Sequence, residues 1–272
     1  MSDLIVTTHA EGVTTLRMNH PRRLNGWTRP MMDALLAGLQ QAADDDACGA
    51  LVLTGTDPYY CAGVNLSGTL QLGHPRELHR RIVEHNESLF AAFLTFPKPI
   101  LVAANGPAIG AAVTTATLCD ALVASDRATF STPFARLGVP PEGCSSVTFD
   151  QLMSPADAQR MLGPEGWAPT GTEAVDAGLA THLAPHDDLL PQAQALAARW
   201  VAEGRTRTLR GGFTLDELLA VNARESVQVA DAFLSRTFLR GQARFLWTKK
   251  KRGPALAFAA LWLTQPAWSR LR

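Results

Sequence analysis

PKPILVAANGPAIGAAVTTATLCDALVASDRATFSTPFARLGVPPEGCSS, residues Pro97 to Ser146, decides how this chain is read. A Pro-Lys-Pro bracket precedes a run of strand formers, Ile100 to Ala104. Asn105, Gly106 and Pro107 form a turn signal, and small residues follow at Gly110, Ala111 and Ala112. The pattern is then helical and apolar as far as Cys119, and Asp120 ends it. A strand therefore feeds a tight turn that opens into the N-terminus of a buried helix. Backbone N–H groups and the positive end of the helix dipole face outward at such a place, which suits a negative oxygen. Small residues let a ligand approach that backbone closely. Many α/β turns share this pattern and bind nothing, so the stretch speaks for a fold class before it speaks for a site.

The 272 residues are enough for a large core, either one domain or a core with an appendage. Charged residues make up 18% of the chain, ordinary for a globular protein. Lys plus Arg and Asp plus Glu stand at 25 each, so no global field recruits nucleic acid or a membrane surface. The basic run Lys249, Lys250, Lys251 and Arg252 reads either as a solvated face or as a phosphate contact. Cys48, Cys61, Cys119 and Cys144 have neither CxxC spacing nor the density of a disulfide scaffold. The opening MSDLIVTTHA lacks the layout of a signal peptide, and the ending WSRLR carries no recognisable address. The apolar region from Ile100 to Ala124 is interrupted by Asn105, Pro107 and threonines, which argues against a membrane span. The expectation is a soluble, reduced, cytoplasmic protein. Its seven histidines show no metal-ligand spacing, so no metal is expected.

Outward from the central stretch, Leu4 to Thr8 and Val13 to Met18 read as a hairpin around Glu11-Gly12. A basic, turn-rich loop follows, with Arg22, Arg23, Leu24, Asn25 and Gly26. Thr28 caps a helix that has Pro30 in its first turn and apolar positions Met31, Leu35, Leu36 and Leu39. Asp44-Asp45-Asp46 reads as a solvated turn. Ala50 to Thr54 is a strand apolar on both faces, as a covered sheet requires. It runs into a second stretch of small residues, Cys61-Ala62-Gly63-Val64-Asn65-Leu66. Glu77 to Phe96 reads as a long amphipathic helix. Beyond Ser146, helices are expected from Ser154-Pro155, over Thr172 to Ala177, and over Leu189 to Ala202. Thr214 to Arg224, Ser226 to Leu239 and Gly241 to Thr248 complete an all-helical tail behind an alternating β/α core.

NHPRRLNGW, LVLTGTDPYYCAGVNL, PKPILVAANGPAIGAAVTTATLCDALVASDRATFSTP and LGVPPEGCSS, in that order, resemble the crotonase family, the enoyl-CoA hydratase/isomerase superfamily. The four blocks cover about the first two-thirds of the chain, and the helical tail fits more loosely. The resemblance implies an α/β fold, the crotonase spiral of ββα units with a helical C-terminal region. It divides the chain into a core over residues 1–200 and a helical oligomerisation region over 201–272, with a homotrimer or a dimer of trimers as the assembly. It also implies an acyl-CoA thioester substrate and no cofactor beyond the coenzyme A that the substrate carries. An enolate-type oxygen would be held by the N–H groups of Val64 and Ala111, fixed dipoles aimed where charge develops. Ala62, Gly63, Asn65, Leu66, Gly110 and Phe134 would line the acyl-CoA site, with Arg22, Arg23 and Leu24 along the coenzyme and Asn65 either shaping a turn or touching it. Asp120 would be structural, capping a helix end.

Hydratases of this family use two glutamates, at the positions that here hold Thr114 and Phe134. Neither moves protons to and from water. The run STPFARLGVPPEGCSS looks instead like the peroxisomal type of Δ3,Δ2-enoyl-CoA isomerase, in which the glutamate of PEGCSS is the base. That nominates Glu142, with Phe134 in the apolar surroundings that raise its pKa. Other reactions of the family, and a non-catalytic acyl-CoA-binding subunit, are the competing readings.

Overall fold

The computed structural model describes residues 3–64 and 74–271, so the expected site residues Asn65 and Leu66 lie outside the described residues. Eight strands are described: β1 (Ile5–Ala10), β2 (Val13–Met18), β3 (Ala50–Gly55), β4 (Ile100–Ala104), β5 (Ala108–Ile109), β6 (Ala121–Ser125), β7 (Phe130–Ser131) and β8 (His182–Ala184). Six of them form one sheet in the order β1-β2-β3-β4-β6-β8, antiparallel only between β1 and β2, while β5 and β7 form a small parallel pair. The helices are α1 (Arg29–Asp44), α2 (Pro75–Leu94), α3 (Ala111–Thr117), α4 (Phe134–Leu137), α5 (Ser145–Leu152), α6 (Pro155–Leu162), α7 (Gly171–Asp176), α8 (Leu189–Ala202), α9 (Leu215–Phe233), α10 (Arg236–Thr248) and α11 (Arg252–Trp268).

The inner strands β3, β4 and β6 are buried on both faces, β2 nearly so, and their side chains sort with period two. Leu16, Met18, Leu51, Leu53, Ile100, Val102, Leu122 and Ala124 point to a core shared with α1 and α3. Val13, Ala50, Val52, Leu101, Ala103, Ala121 and Val123 point to the opposite core, closed by Leu189, Ala193, Ala197 and Trp200 of α8. Local signals start two helices as expected, Thr28 accepting from the Met31 N–H and Ser154 from Asp157, while α7, expected from Thr172, starts at Gly171 behind a capping box of Thr170 and Glu173.

The tail differs from the sequence expectation. The helix expected to end at Arg224 runs on as α9 to Phe233, and the break falls at Leu234-Ser235, where Ser235 caps α10. Helix α10 then passes through Gly241, an interior glycine that costs only about 1 kcal/mol. Helix α11 is not anticipated, nor is the short edge strand β8, whose three residues are too few to carry a periodic signal. The expected division at residue 200 falls inside α8.

Asp120 does more than end a helix. One carboxylate oxygen accepts the Ile100 N–H at 2.9 Å and Arg207 Nη1–H at 2.7 Å, and the other accepts the N–H and O–H of Thr208. The side chain therefore fastens the chain that leads to the helical tail onto the central sheet.

Candidate active site

Beyond β3 the chain turns through residues 56–60 and comes back beside the segment that leads into α3. Cys61 N–H donates to the Pro107 carbonyl at 3.3 Å and Ile109 N–H to the Cys61 carbonyl at 3.0 Å, a parallel bridge between Cys61 and Ala108. Two residues on, Gly63 packs so closely against Ile109 that a Cβ there would stand 2.5 Å from the Ile109 carbonyl oxygen. Val64 and Ala111 follow in sequence just past these paired residues. Ala111 is the first residue of α3, so its N–H has no partner within the helix. Gly110 before it has φ +61°, and among the described residues nothing lies within 4 Å of the position a Cβ would occupy.

Both segments are braced from behind. The Asn105 carboxamide oxygen accepts the Gly55 N–H at 3.1 Å, and its amide donates to Asp57 Oδ1 at 2.7 Å. His186 contacts the other oxygen of Asp57 at 3.0 Å. Asn25 ties in the basic loop: its amide donates to the carbonyls of Thr56 and Tyr59, both at 2.7 Å, and its oxygen accepts the His20 N–H. Ala62 N–H donates to the Leu24 carbonyl at 3.0 Å and Trp27 N–H to the Gly63 carbonyl at 2.9 Å. Arg22, Arg23 and Leu24 are thereby placed at the rim of the Ala62–Val64 segment, and Arg22 and Arg23 are exposed.

Glu142 sits in the turn between α4 and α5. As a residue it is partly buried, and its carboxyl is deep enough for burial to push its pKa up to about 7. Asn86 on α2 donates to Glu142 Oε2 at 2.7 Å, which favours the charged form, while the nearby carboxylate of Glu225 disfavours it. Burial is the largest of the three effects.

The turn itself is pressed into the core. Gly143 has φ +65°, and a Cβ there would run into the Phe90 ring and stand 2.6 Å from Thr114 Oγ1. Thr114 is fully buried, and its hydroxyl donates back to the Ala111 carbonyl at 3.3 Å. Phe90 of α2 is therefore the ring that the turn carrying Glu142 meets. Phe134 is buried at the start of α4.

Asn86, Phe90 and Glu225 escape sequence reasoning. Each is an ordinary residue in a helical pattern, and only the packing of α2 and α9 against the turn singles it out. A polar residue at a core-facing helical position is the one signal that sequence offered. Among the described residues no group of three or more His, Cys, Asp or Glu side chains is arranged to hold a metal ion. No helix of the described residues is long and apolar enough to cross a membrane.

The profile of the family described as enoyl-CoA hydratase/isomerase matches residues 8–228. Enoyl-CoA delta isomerase 2 of Homo sapiens is 34% identical over 264 residues, 92% of this chain and 64% of that protein. Enoyl-CoA delta isomerase 3, peroxisomal, of Mus musculus is 36% identical over 184 residues, 67% of this chain and 57% of that protein. The chain thus spans less than two-thirds of the length of either relative. An enoyl-CoA hydratase/isomerase from Pseudoalteromonas atlantica T6c superposes with a TM-score of 0.77 at 26% identity, over 90% of this chain and 98% of that one.

Proposed function

Because the chain belongs to the enoyl-CoA hydratase/isomerase family, we propose that it isomerises 3-enoyl-CoA to 2-trans-enoyl-CoA with Glu142 as the only acid/base residue. The observation that carries this reading is the Glu142 carboxyl, which burial pushes up to a pKa of about 7, while the neighbouring carboxylate of Glu225 is taken up by the N–H groups of Cys144 and Ser146 rather than left to activate water. Thr114, where hydratases of the family carry a glutamate, is sealed behind Gly143 and Phe90.

In the proposed mechanism the thioester oxygen lies between the N–H groups of Val64 and Ala111. Glu142 takes a proton from C2 and the electron pair moves onto that oxygen, where the two fixed donors hold the dienolate. The same carboxyl delivers the proton to C4, and the double bond settles between C2 and C3. A base near neutrality suits both halves of this cycle, because it must give the proton back as readily as it takes it. Coenzyme A enters only as part of the substrate, with Arg22, Arg23 and Leu24 at the rim as its contacts. Ala62, Gly63 and Gly110 line the approach to the two donors, and Phe134 contributes to the apolar surroundings.

Conversion of 3-trans-hexenoyl-CoA and 3-trans-decenoyl-CoA, measured beside hydration of crotonyl-CoA, tests the reading. Wild type should isomerise and not hydrate, and Glu142→Gln should lose at least about a thousandfold in kcat. Hydration by wild type, or isomerisation surviving in Glu142→Gln, would sink it. CoA-ester binding without turnover would favour a binding subunit.

The assembly we propose is a homotrimer or a dimer of trimers formed through the helical tail. Phe245, Trp247, Leu256 and Leu263 are about half or more exposed on α10 and α11, an apolar surface that association would cover. Light scattering should give three or six chain masses, and a monomer would contradict this. Four unpaired cysteines suit a reducing compartment, the cytoplasm or, as the name of the mouse relative has it, the peroxisome.

A further inference from the structure

We propose that Glu225, on α9, is a positioning residue for the base: its carboxylate holds the backbone of the turn that carries Glu142 without touching substrate. The inference rests on Glu142 being the base.

The turn after Glu142 is an expensive piece of backbone. Gly143 and Cys144 both have positive φ, +65° and +63°, and Cys144 carries a side chain into that left-handed region. Such a residue persists only where its surroundings over-determine it. Cys144 is also the cap residue just before α5, and its side chain makes no capping bond to that helix. The donors of this helix end find their acceptor elsewhere. Cys144 N–H donates to Glu225 Oε2 at 2.7 Å, and Ser146 N–H donates to Glu225 Oε1 at 3.1 Å. A carboxylate eighty-one residues away thus caps α5 and clamps the turn in one contact.

The chemistry of the pair of donors explains the residue type. The two backbone N–H groups meet different oxygens of one side chain, which a carboxylate supplies where an amide would turn an NH2 towards one of them. Glu225 is completely buried, a placement that costs several kcal/mol unless its oxygens are satisfied.

The same face of α9 also reaches the other side of Glu142. Ser226 donates to the Asn86 carboxamide oxygen at 2.8 Å, which leaves the Asn86 amide group turned to Glu142. Asn222 donates to the Glu87 carbonyl at 2.9 Å, and the Leu218 carbonyl accepts the Cys144 thiol. Backbone and side chain of the base are therefore held from one helix of the tail, which makes that region part of the site.

The titratable and charged neighbours of this unit are few. Glu225 faces Glu142 from α9, Cys144 lies on the turn, and Arg224 stands beside Glu225 and partly offsets its charge. Removing the Glu225 charge takes away one of the influences that hold the Glu142 pKa up, so that pKa should fall.

Wild type, Glu142→Gln, Glu225→Gln and Glu225→Asp, as full-length protein, provide the test. Two readouts are needed: kcat and KM for 3-trans-hexenoyl-CoA across pH, and the carboxyl 13C titration of glutamate-labelled protein, with the Glu142 resonance assigned by its loss in Glu142→Gln. Glu225→Gln should lower kcat ten- to a hundredfold with KM changed less than about threefold. Its acid limb and the Glu142 titration should both move to lower pH. Glu225→Asp, which keeps two oxygens, should recover part of kcat and carries the same test if the Gln variant does not fold. Unchanged kcat with an unmoved titration, or kcat falling only in proportion to the unfolded fraction, would overturn the inference. Turnover retained by Glu142→Gln, or absent from wild type, would instead overturn the assignment of the base. The titration then still decides the contact, and an unmoved Glu142 resonance would overturn it.

Discussion

Asn86 and Glu142, fifty-six residues apart, meet in a single 2.7 Å hydrogen bond from amide to carboxylate. The bond favours the ionised carboxylate and burial opposes it; burial wins and pushes the pKa up to about 7. Only the ionised form can take a proton. The kcat/KM for isomerisation should therefore rise about tenfold per pH unit below pH ~7 and level off above it. A profile already flat from pH 5 would show that another group is the base.

The same shift has a cost in stability, with a definite sign. The folded carboxyl holds its proton up to about 7 against a model value of 4.5, so the folded state binds that proton more tightly than the unfolded chain. The resulting stabilisation is complete below about pH 4.5 and is lost as pH rises through about 7. Glu142→Gln is free of this loss. Urea melts at pH 5 and pH 8 should show the variant gaining on wild type by about 1–3 kcal/mol at the higher pH. A gap that stays constant would contradict the burial of this carboxyl.

Restoring the family's missing glutamate should not restore hydration. Thr114 is fully buried and faces Gly143 and Phe90. Thr114→Glu should lower stability by about 3 kcal/mol or more through overpacking and an unpaired buried acid. It should leave crotonyl-CoA unhydrated. Hydration gained by this single change would mean that the pocket admits both a second carboxylate and water.

Gly143 offers a way to separate backbone strain from lack of space. Gly143→Ala meets both a φ of +65° and the Phe90 ring, whereas Gly166→Ala meets a similar φ of +62° with nothing within 4 Å. The first should cost about 2–4 kcal/mol and most of kcat, and the second about 1 kcal/mol with activity kept. Equal costs in denaturant melts would mean that the contact with Phe90 is soft.

Asp120 and Arg207 form a pair whose side chains are 0% and 11% exposed, and it fastens the tail to the sheet. Removing either partner leaves the other charged group buried, so Asp120→Asn and Arg207→Ala should each cost about 3–5 kcal/mol. The double variant should cost clearly less than the sum. Additive losses would show that the two side chains act separately.

The sequence by itself determined the alternating core and its turns, because those depend on neighbours along the chain. The apolar run Ile100 to Ala104, the small residues at Gly110–Ala112 and the caps at Thr28 and Ser154 each declare a local geometry, and the structure has each of them. Glu142 was nominated only through its surrounding run; a glutamate between proline and glycine says nothing of burial. Only the tertiary structure decided what surrounds it. Asn86, Phe90 and Glu225 come to the turn from helices that begin far away in sequence, and no periodicity in α2 or α9 records which element their inner faces will meet. The fate of α9 illustrates the reason. A charged residue at position 225 breaks the apolar pattern locally and reads as an interruption, yet in the fold it satisfies two backbone donors of α5 and the helix runs on through it. Caps and turns are settled by a few adjacent residues; the surroundings of a base are settled by which helices pack together, and that is a property of the whole chain.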